Sequence, residues 1–313
     1  MTETSQRMMR AVKGGLPIAK RTIFWLLKLI LPISLAVQLL QFSGLLDYVA
    51  LILNPVFQAV GLPGASSIAF VCSVFLPLYA PVAIIGTMGL TIRQMSILAI
   101  MCLISHNLLV ETAVQKRTGS SFIFIMFLRI GMSFFAAFLW NLMLPEDMGR
   151  TTAAIVAGNV DQTFMQGLAV WAEGAVWLCL KIILIVSGLM ILQRILEEFH
   201  IMDVLARIFA PLMRFMGLSR DCSFLWFVAN IIGLTYGSAV LIEQVEAGKL
   251  GRGDARMLNN SLAICHSLLE DTLIFVSIGV PIFWVTVPRF LLAIAVVWAV
   301  RIVLTIKYSN STM

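Results

Sequence analysis

From Ile23 onward the chain is a succession of long apolar runs separated by short polar stretches. Five runs precede residue 145: 23–42, an amphipathic 45–60, 66–86, 94–114 and 121–144. A polar stretch follows at 145–173, with Glu146, Asp147, Arg150, Asp161 and Glu173. Five more runs come after it: 174–196, an amphipathic 201–216, 222–243, 257–279 and 281–306. Runs of about twenty apolar residues match the hydrocarbon core of a bilayer. The pattern predicts an all-α polytopic membrane protein with about ten helical segments.

The second five runs repeat the first five in order and character. Leu27-Lys28 answers to Leu180-Lys181, and Asp47, Pro55 and Gly61 answer to Asp203, Pro211 and Gly217, each 156 positions later. Tyr79 answers to Tyr236, and His106 to His266 after a short insertion around Glu246–Gly251. The expected organisation is a basic N-terminal segment (1–22), a first membrane repeat (23–144), a polar connector (145–173) and a second repeat (174–313).

Composition agrees with this pattern. Of 313 residues, 60% are hydrophobic and only 12% charged, where a soluble domain carries roughly 25% charged residues. The net charge of +6 does not mark a nucleic-acid binder, because that needs an exposed soluble basic surface. Arg7, Arg10, Lys13, Lys20 and Arg21 flank the first apolar run instead, where cytoplasmic basic residues orient a membrane protein. The run 23–42 is long and lacks a small-residue cleavage site, so it reads as a first transmembrane helix rather than a cleaved signal.

If every run crosses, Lys116, Arg117, Lys249, Arg252, Arg256, Lys307 and the N-terminus share the cytoplasmic side. The connector then lies outside, and five crossings per repeat make the halves inverted. If 45–60 and 201–216 lie in the interface instead, the repeats are parallel and Lys116-Arg117 moves outside. The basic residues favour the inverted arrangement, with both termini cytoplasmic in a bacterial inner membrane. The five cysteines are scattered without a C-x-x-C pair and read as buried thiols. The seventeen methionines read as packing residues.

The candidate chemistry lies in a heptapeptide that occurs twice. Residues 106–112 read His106-Asn107-Leu108-Leu109-Val110-Glu111-Thr112, and residues 266–272 read His266-Ser267-Leu268-Leu269-Glu270-Asp271-Thr272. Ionisable groups within apolar runs are expensive and are functional by default. The paired imidazoles, carboxylates, hydroxyls and the Asn107 amide suit a polar solute, a cation or a proton. On a continuous helix His266 and Glu270 share a face, while Glu111 and Asp271 lie off to the side. Glu270 also makes the second copy the richer in charge, so His266 and Asp271 are expected to outweigh His106 and Glu111.

The preceding runs carry helix breakers, Pro77 and Pro81 around Tyr79 and Gly233 and Gly237 around Tyr236. Paired breakers at matched positions point to unwound backbone at a transporter's site. Asn230 and Glu243 bracket the second breaker and join the candidate set; Glu243 also fits a cytoplasmic-edge residue. A shared polar cavity near mid-membrane is expected to gather these groups. Lys28 and Lys181 read as snorkelling to the headgroups. No phosphate loop, dinucleotide fingerprint, zinc-protease motif or nucleophile elbow occurs, so neither an enzyme, an ATP-driven pump nor a cofactor is expected. The pattern leaves the identity of any metal open.

The runs Gly233, Leu241-Ile242-Glu243, Gly248-Lys249-Leu250 and Cys265 through Thr272 resemble the nucleoside-recognition, or gate, domain family. Pro81 through Gly86 with Ser105 through Thr112 looks like a second gate unit. The resemblance implies kinship with concentrative nucleoside transporters, the membrane domain of the ferrous-iron permease and spore maturation proteins. It implies a scaffold more than a substrate. The GTP-binding domain and cysteine-bearing gate motif of the iron permease are not evident here. The expected function is a secondary transporter of a small polar or charged solute, nucleoside-like or ionic. Its partners are that solute and membrane lipids, with a homo-oligomer left open and nucleic acid excluded. The alternatives are an assembly protein like the spore maturation proteins, a metal-ion permease, or a membrane enzyme using His266 and Glu270.

Cysteines introduced at Asp147 and at Lys249 should react with an impermeant thiol reagent from opposite faces of the membrane. Labelling from one face alone would rule out the inverted five-plus-five topology.

Overall fold

The computed structural model describes residues 3–43, 45–150, 164–199, 201–231, 233–234, 241–242 and 244–310. Tyr236 and Glu243, both candidate site residues, lie outside the described residues. The described residues contain helices and no strand.

Two long helices, α1 (Glu3–Phe42) and α8 (Phe164–Glu198), pack against each other. They run antiparallel: Arg7 pairs with Glu198 at 3.3 Å, and Gly15 faces the backbone of Met190 and Ile191. A β-carbon at Gly15 would meet those atoms at 3.2–3.4 Å, so the small residue permits the close approach that packs helices in lipid. The basic N-terminal residues belong to the same helix as the first apolar run. At about 1.5 Å per residue α1 is about 60 Å long, roughly twice a hydrocarbon core.

One group of helices follows each of them, and the two groups are similar. The first holds α2 (Leu45–Ala59), α3 (Ser66–Phe75), α4 (Tyr79–Thr87), α5 (Ile92–Ser105), α6 (Leu108–Arg117) and α7 (Phe122–Met143). The second holds α9 (Ile201–Phe215), a short 3-10 turn (Arg220–Cys222), α10 (Ser223–Ile231), α11 (Arg252–Ile264), α12 (Glu270–Val276) and α13 (Ile282–Asn310). Contacts repeat between the groups: α2 packs on α3 and α5 on α7, as α9 packs on α10 and α11 on α13. An aromatic trio anchors each. Phe57, Phe70 and Phe134 meet edge to face with ring centroids 5.4–6.1 Å apart. Trp226 takes the same central place between Phe209 at 6.0 Å and Phe290 at 6.2 Å. The groups interlock, because α7 also packs on α11 and α13 on α5.

Among the described residues, three stretches are long and apolar enough to cross a membrane: Ile92–Arg117, Phe122–Met143 and Ile282–Ile306. They differ in surroundings. The first is 72% buried within the protein, against 28% and 22% for the other two. Thus α5 and α6 form the centre, while α7 and α13 turn Phe127, Leu142, Phe283 and Leu291 outward. The ordered start of α5 comes from Thr91 and Gln94, whose side chains bond each other's backbone N–H in a capping box.

The central runs are not continuous helices. The 66–86 run is broken around Pro77, as the prolines predict. The two heptapeptides, expected to be helical throughout, are broken as well. His106 ends α5 and Asn107 turns left-handed (φ 47°) before α6 begins; Ser267 adopts the same φ of 47° between α11 and α12. Asparagine visits this region with tolerable strain, while serine does so more rarely.

Gly61 and Gly217 close the loops after α2 and α9 with φ of 76° and 75°. A β-carbon at Gly61 would fall 2.0 Å from Asn141 Oδ1, the atom that accepts a bond from Arg93 at 2.9 Å. Gly61→Ala is expected to cost about 1–3 kcal/mol through strained backbone alone. The check is the unfolding midpoint in detergent, and an unchanged midpoint would contradict the turn described here.

Candidate functional site

Stopping four helices inside the molecule exposes backbone groups that need partners. The N–H of Asn107 donates to Ser73 O at 2.9 Å and to Leu76 O at 3.3 Å, at the end of α3. In the second half the N–H of Ser267 donates to Ala229 O at 3.1 Å, and that of Leu269 to Asn230 O at 3.3 Å, at the end of α10. The carbonyls are met by two fully buried arginines. Arg129 donates through Nε to Ile104 O at 2.7 Å and through Nη2 to His106 O at 2.8 Å. Arg289 donates through Nη2 to His266 O at 2.6 Å. A guanidinium at a helix C-terminus also meets the negative end of its dipole. Glu111 in the first turn of α6, and Glu270 and Asp271 in the first turn of α12, meet the positive ends.

The breaks bring the two histidines together. His106 and His266 face each other with Nε2 atoms 3.3 Å apart and ring centroids 5.0 Å apart. Glu111 reaches both: Oε1 lies 3.2 Å from His106 Nε2 and Oε2 lies 3.3 Å from His266 Nε2. Its Oε2 also lies 2.8 Å from Arg129 Nη2. Asp271 Oδ2 lies 3.4 Å from His106 Nε2. Glu270 turns aside and accepts a bond from Tyr79 Oη at 2.7 Å. All four central residues are buried, His266 completely and the others with 5–8% of their surface exposed.

This geometry corrects the expectation from helical faces. The left-handed residue resets the phase of each heptapeptide. Glu111 and Asp271 therefore face the imidazoles, while Glu270 is carried away to Tyr79. Glu111 touches both rings and a guanidinium. Thr112 and Thr272 are buried beside their carboxylates, with hydroxyls that find no hydrogen-bond partner among the described residues. Asn107 and Ser267 serve as the backbone pivots. Asn230 is buried and donates to Trp226 O at 2.9 Å.

Arg129 and Arg289 were not among the candidates from sequence, although one signal marks them. Each stands 23 positions after its histidine. A second polar seam holds the halves together at the far end of α6. Asn259 donates to Thr118 Oγ1 at 2.8 Å, Ser120 Oγ at 2.9 Å and Gln115 O at 3.2 Å, and Gln115 Nε2 donates to Asn259 O at 3.1 Å. A cavity of about 340 Å³ lined by Gly217, Leu218, Asp254, Met257 and Arg301 shares no residue with the histidine cluster.

The family model described as Gate, nucleoside recognition, matches residues 179–297, which include the second heptapeptide and Arg289. YvoD of Bacillus subtilis (strain 168), described as an uncharacterized membrane protein, is 30% identical over 297 residues. The similarity covers 94% of this chain and 95% of that protein. No solved structure matches the chain.

Arg129→Met leaves Glu111 and the two carbonyls without their donor. Removing one partner of a buried ion pair typically costs about 3–5 kcal/mol. The variant should therefore unfold at a markedly lower temperature in detergent. Arg129→Lys should recover only part of the loss, because one ammonium does not reproduce the planar fork. A Met variant as stable as the parent would show that the guanidinium does not hold the break.

Proposed function

Because the chain belongs to the nucleoside-recognition Gate family of membrane proteins, we propose that it is a secondary permease for a small polar or charged solute. The observation that carries this reading is the meeting of both heptapeptides at broken helices, with two imidazoles and two carboxylates in contact. Ionisable groups gathered at helix breaks are the construction by which transporters bind solutes and coupling ions at mid-membrane. The site joins the two halves, so a change in their relative position alters access to it.

In this reading the chain is two inverted five-segment repeats that expose the cluster to one side of an inner membrane and then the other. The matched left-handed residues, the matched arginines and the recurring helix contacts support the repeat. The distribution of basic residues supports cytoplasmic termini. The protein binds lipid and solute, performs no covalent chemistry, requires no cofactor and does not engage nucleic acid.

Ligand-dependent shifts of the unfolding midpoint, screened over nucleosides, amino acids, metal ions and other small ions, identify the solute. In vesicles containing the purified protein, Glu111→Gln should slow its flux by about tenfold or more, as losing a charged hydrogen bond of roughly 1.5–3 kcal/mol implies. Asp271→Asn should slow it also, with the folded fraction kept in both. Full flux in both variants would overturn the permease site; sensitivity confined to the connector or lipid-facing surfaces would favour an assembly role.

A further inference from the structure

We infer that the cluster of His106, His266, Asp271 and Glu111 is a binding site for a divalent first-row transition-metal ion of the Zn²⁺, Fe²⁺ or Mn²⁺ class. That this ion is the transported solute rests on the permease reading above. The binding site itself rests on geometry.

The orientation of the imidazoles comes first. His106 Nδ1 lies 3.2 Å from Cys102 O, and His266 Nδ1 lies 2.7 Å from Leu262 O. A carbonyl oxygen only accepts, so each Nδ1 carries a proton and donates it. In its neutral form each ring then presents its lone pair at Nε2, and these two atoms converge at 3.3 Å. A ring N–H given to a backbone carbonyl is the usual outer support of a metal-binding histidine.

The carboxylates add further lone pairs to the same point. Glu111 oxygens stand 3.2 and 3.3 Å from the two Nε2 atoms, and Asp271 Oδ2 stands 3.4 Å from one. Asp271 Oδ2 is buried and has no hydrogen-bond partner among the described residues. One ligand atom from each of His106, His266 and Asp271 falls within 4.8 Å of the other two. A single proton between two of these acceptors satisfies one pair and leaves the rest facing one another. A metal ion accepts electron density from all of them together.

The spacing agrees with a metal ion. Four ligands at about 2.0–2.1 Å from a tetrahedral Zn²⁺ are separated by about 3.3–3.4 Å. Four contacts among the imidazole and carboxylate atoms are 3.2–3.4 Å, and the ligand atoms of His106, His266 and Asp271 all lie within 4.8 Å of one another. The mixture of imidazole nitrogen and carboxylate oxygen selects first-row transition metals over Mg²⁺ and Ca²⁺, which prefer all-oxygen sites. Arg129 and Arg289 do not fill the place of the ion. Arg289 is bonded to the carbonyl of His266, and Arg129 to the carbonyls of Ile104 and His106 and to Glu111 Oε2 at 2.8 Å, so Glu111 offers the ion its Oε1. Three carboxyl groups, Glu111, Glu270 and Asp271, lie in this region, and a bound dication favours their ionised forms. The small exposure lies with His106, Glu111 and Asp271 while His266 has none, so the cluster's open edge is shared by both heptapeptides.

Co²⁺ provides the test, because its visible absorption becomes intense in tetrahedral coordination. The full-length protein, purified in detergent and treated with a chelator, is titrated with Co²⁺. The expected result is an absorption band that saturates at about one Co²⁺ per chain, is bleached by Zn²⁺, and rises together with the unfolding midpoint. His106→Asn and His266→Asn should each weaken Co²⁺ binding by at least the roughly 10–100-fold that an outer partner of a ligand contributes. No saturable band and no midpoint shift in the parent protein would overturn the site without any reliance on variants. Unaltered affinity in both folded histidine variants would overturn it too. Vesicle uptake of Zn²⁺ and Mn²⁺ separates the two readings. Binding without uptake keeps the metal site and defeats the permease; flux of a metal-free solute without Co²⁺ binding keeps the permease and defeats the metal site.

Discussion

A peptide group inside a bilayer has no water to turn to, so a helix that stops there must find every lost partner within the protein. The centre of this molecule follows from that constraint. Carbonyls at the ends of α5 and α11 are taken by Arg129 and Arg289. The amides of Asn107, Ser267 and Leu269 are taken by the ends of α3 and α10. The stopped helices thus complete one another. Because the carbonyls of His106 and His266 are among those held, the same bonds that permit the breaks also fix where the two imidazoles stand.

Breaking a helix also creates two new dipole ends at depth, and the ionisable residues are distributed to match them. Cations sit where α5 and α11 end, and carboxylates where α6 and α12 begin. The charges that make the site chemically useful are therefore those that make the interrupted backbone tolerable. The halves are joined at this point by the His106–His266 contact and by the Tyr79–Glu270 bond. They are joined elsewhere by the Gln115–Asn259 seam and by Trp140 Nε1 donating to Trp284 O at 3.0 Å.

Much of this was legible in the sequence. Apolar run length gave the helical membrane class, and the matched Gly61 and Gly217 share nearly the same backbone angle. Pro77 marked one break. The breaks at Asn107 and Ser267 were not legible, because neither residue type forbids a helix and their left-handed turn is imposed by the chain ends packed against them. That miss propagated. On an unbroken 3.6-residue period Glu270 shares a face with His266, whereas the broken backbone brings Asp271 and Glu111 to the rings. An arginine in an apolar run looks the same whether it reaches for headgroups or inward, so only the equal spacing from the histidines distinguishes Arg129 and Arg289. The matched family region, residues 179–297, lies in the second half alone.

The two arginines sit on helices whose opposite faces are covered with large exposed apolar side chains. On α7, Phe127 is 67% exposed two residues before the buried Arg129; on α13, Leu291 is 56% exposed two residues after the buried Arg289. Each helix is thus a short lever with acyl chains at one end and a histidine carbonyl at the other. A tilt of α7 or α13 would reach the imidazoles through a single bond of 2.6–2.8 Å, from Arg129 to the carbonyl of His106 or from Arg289 to that of His266.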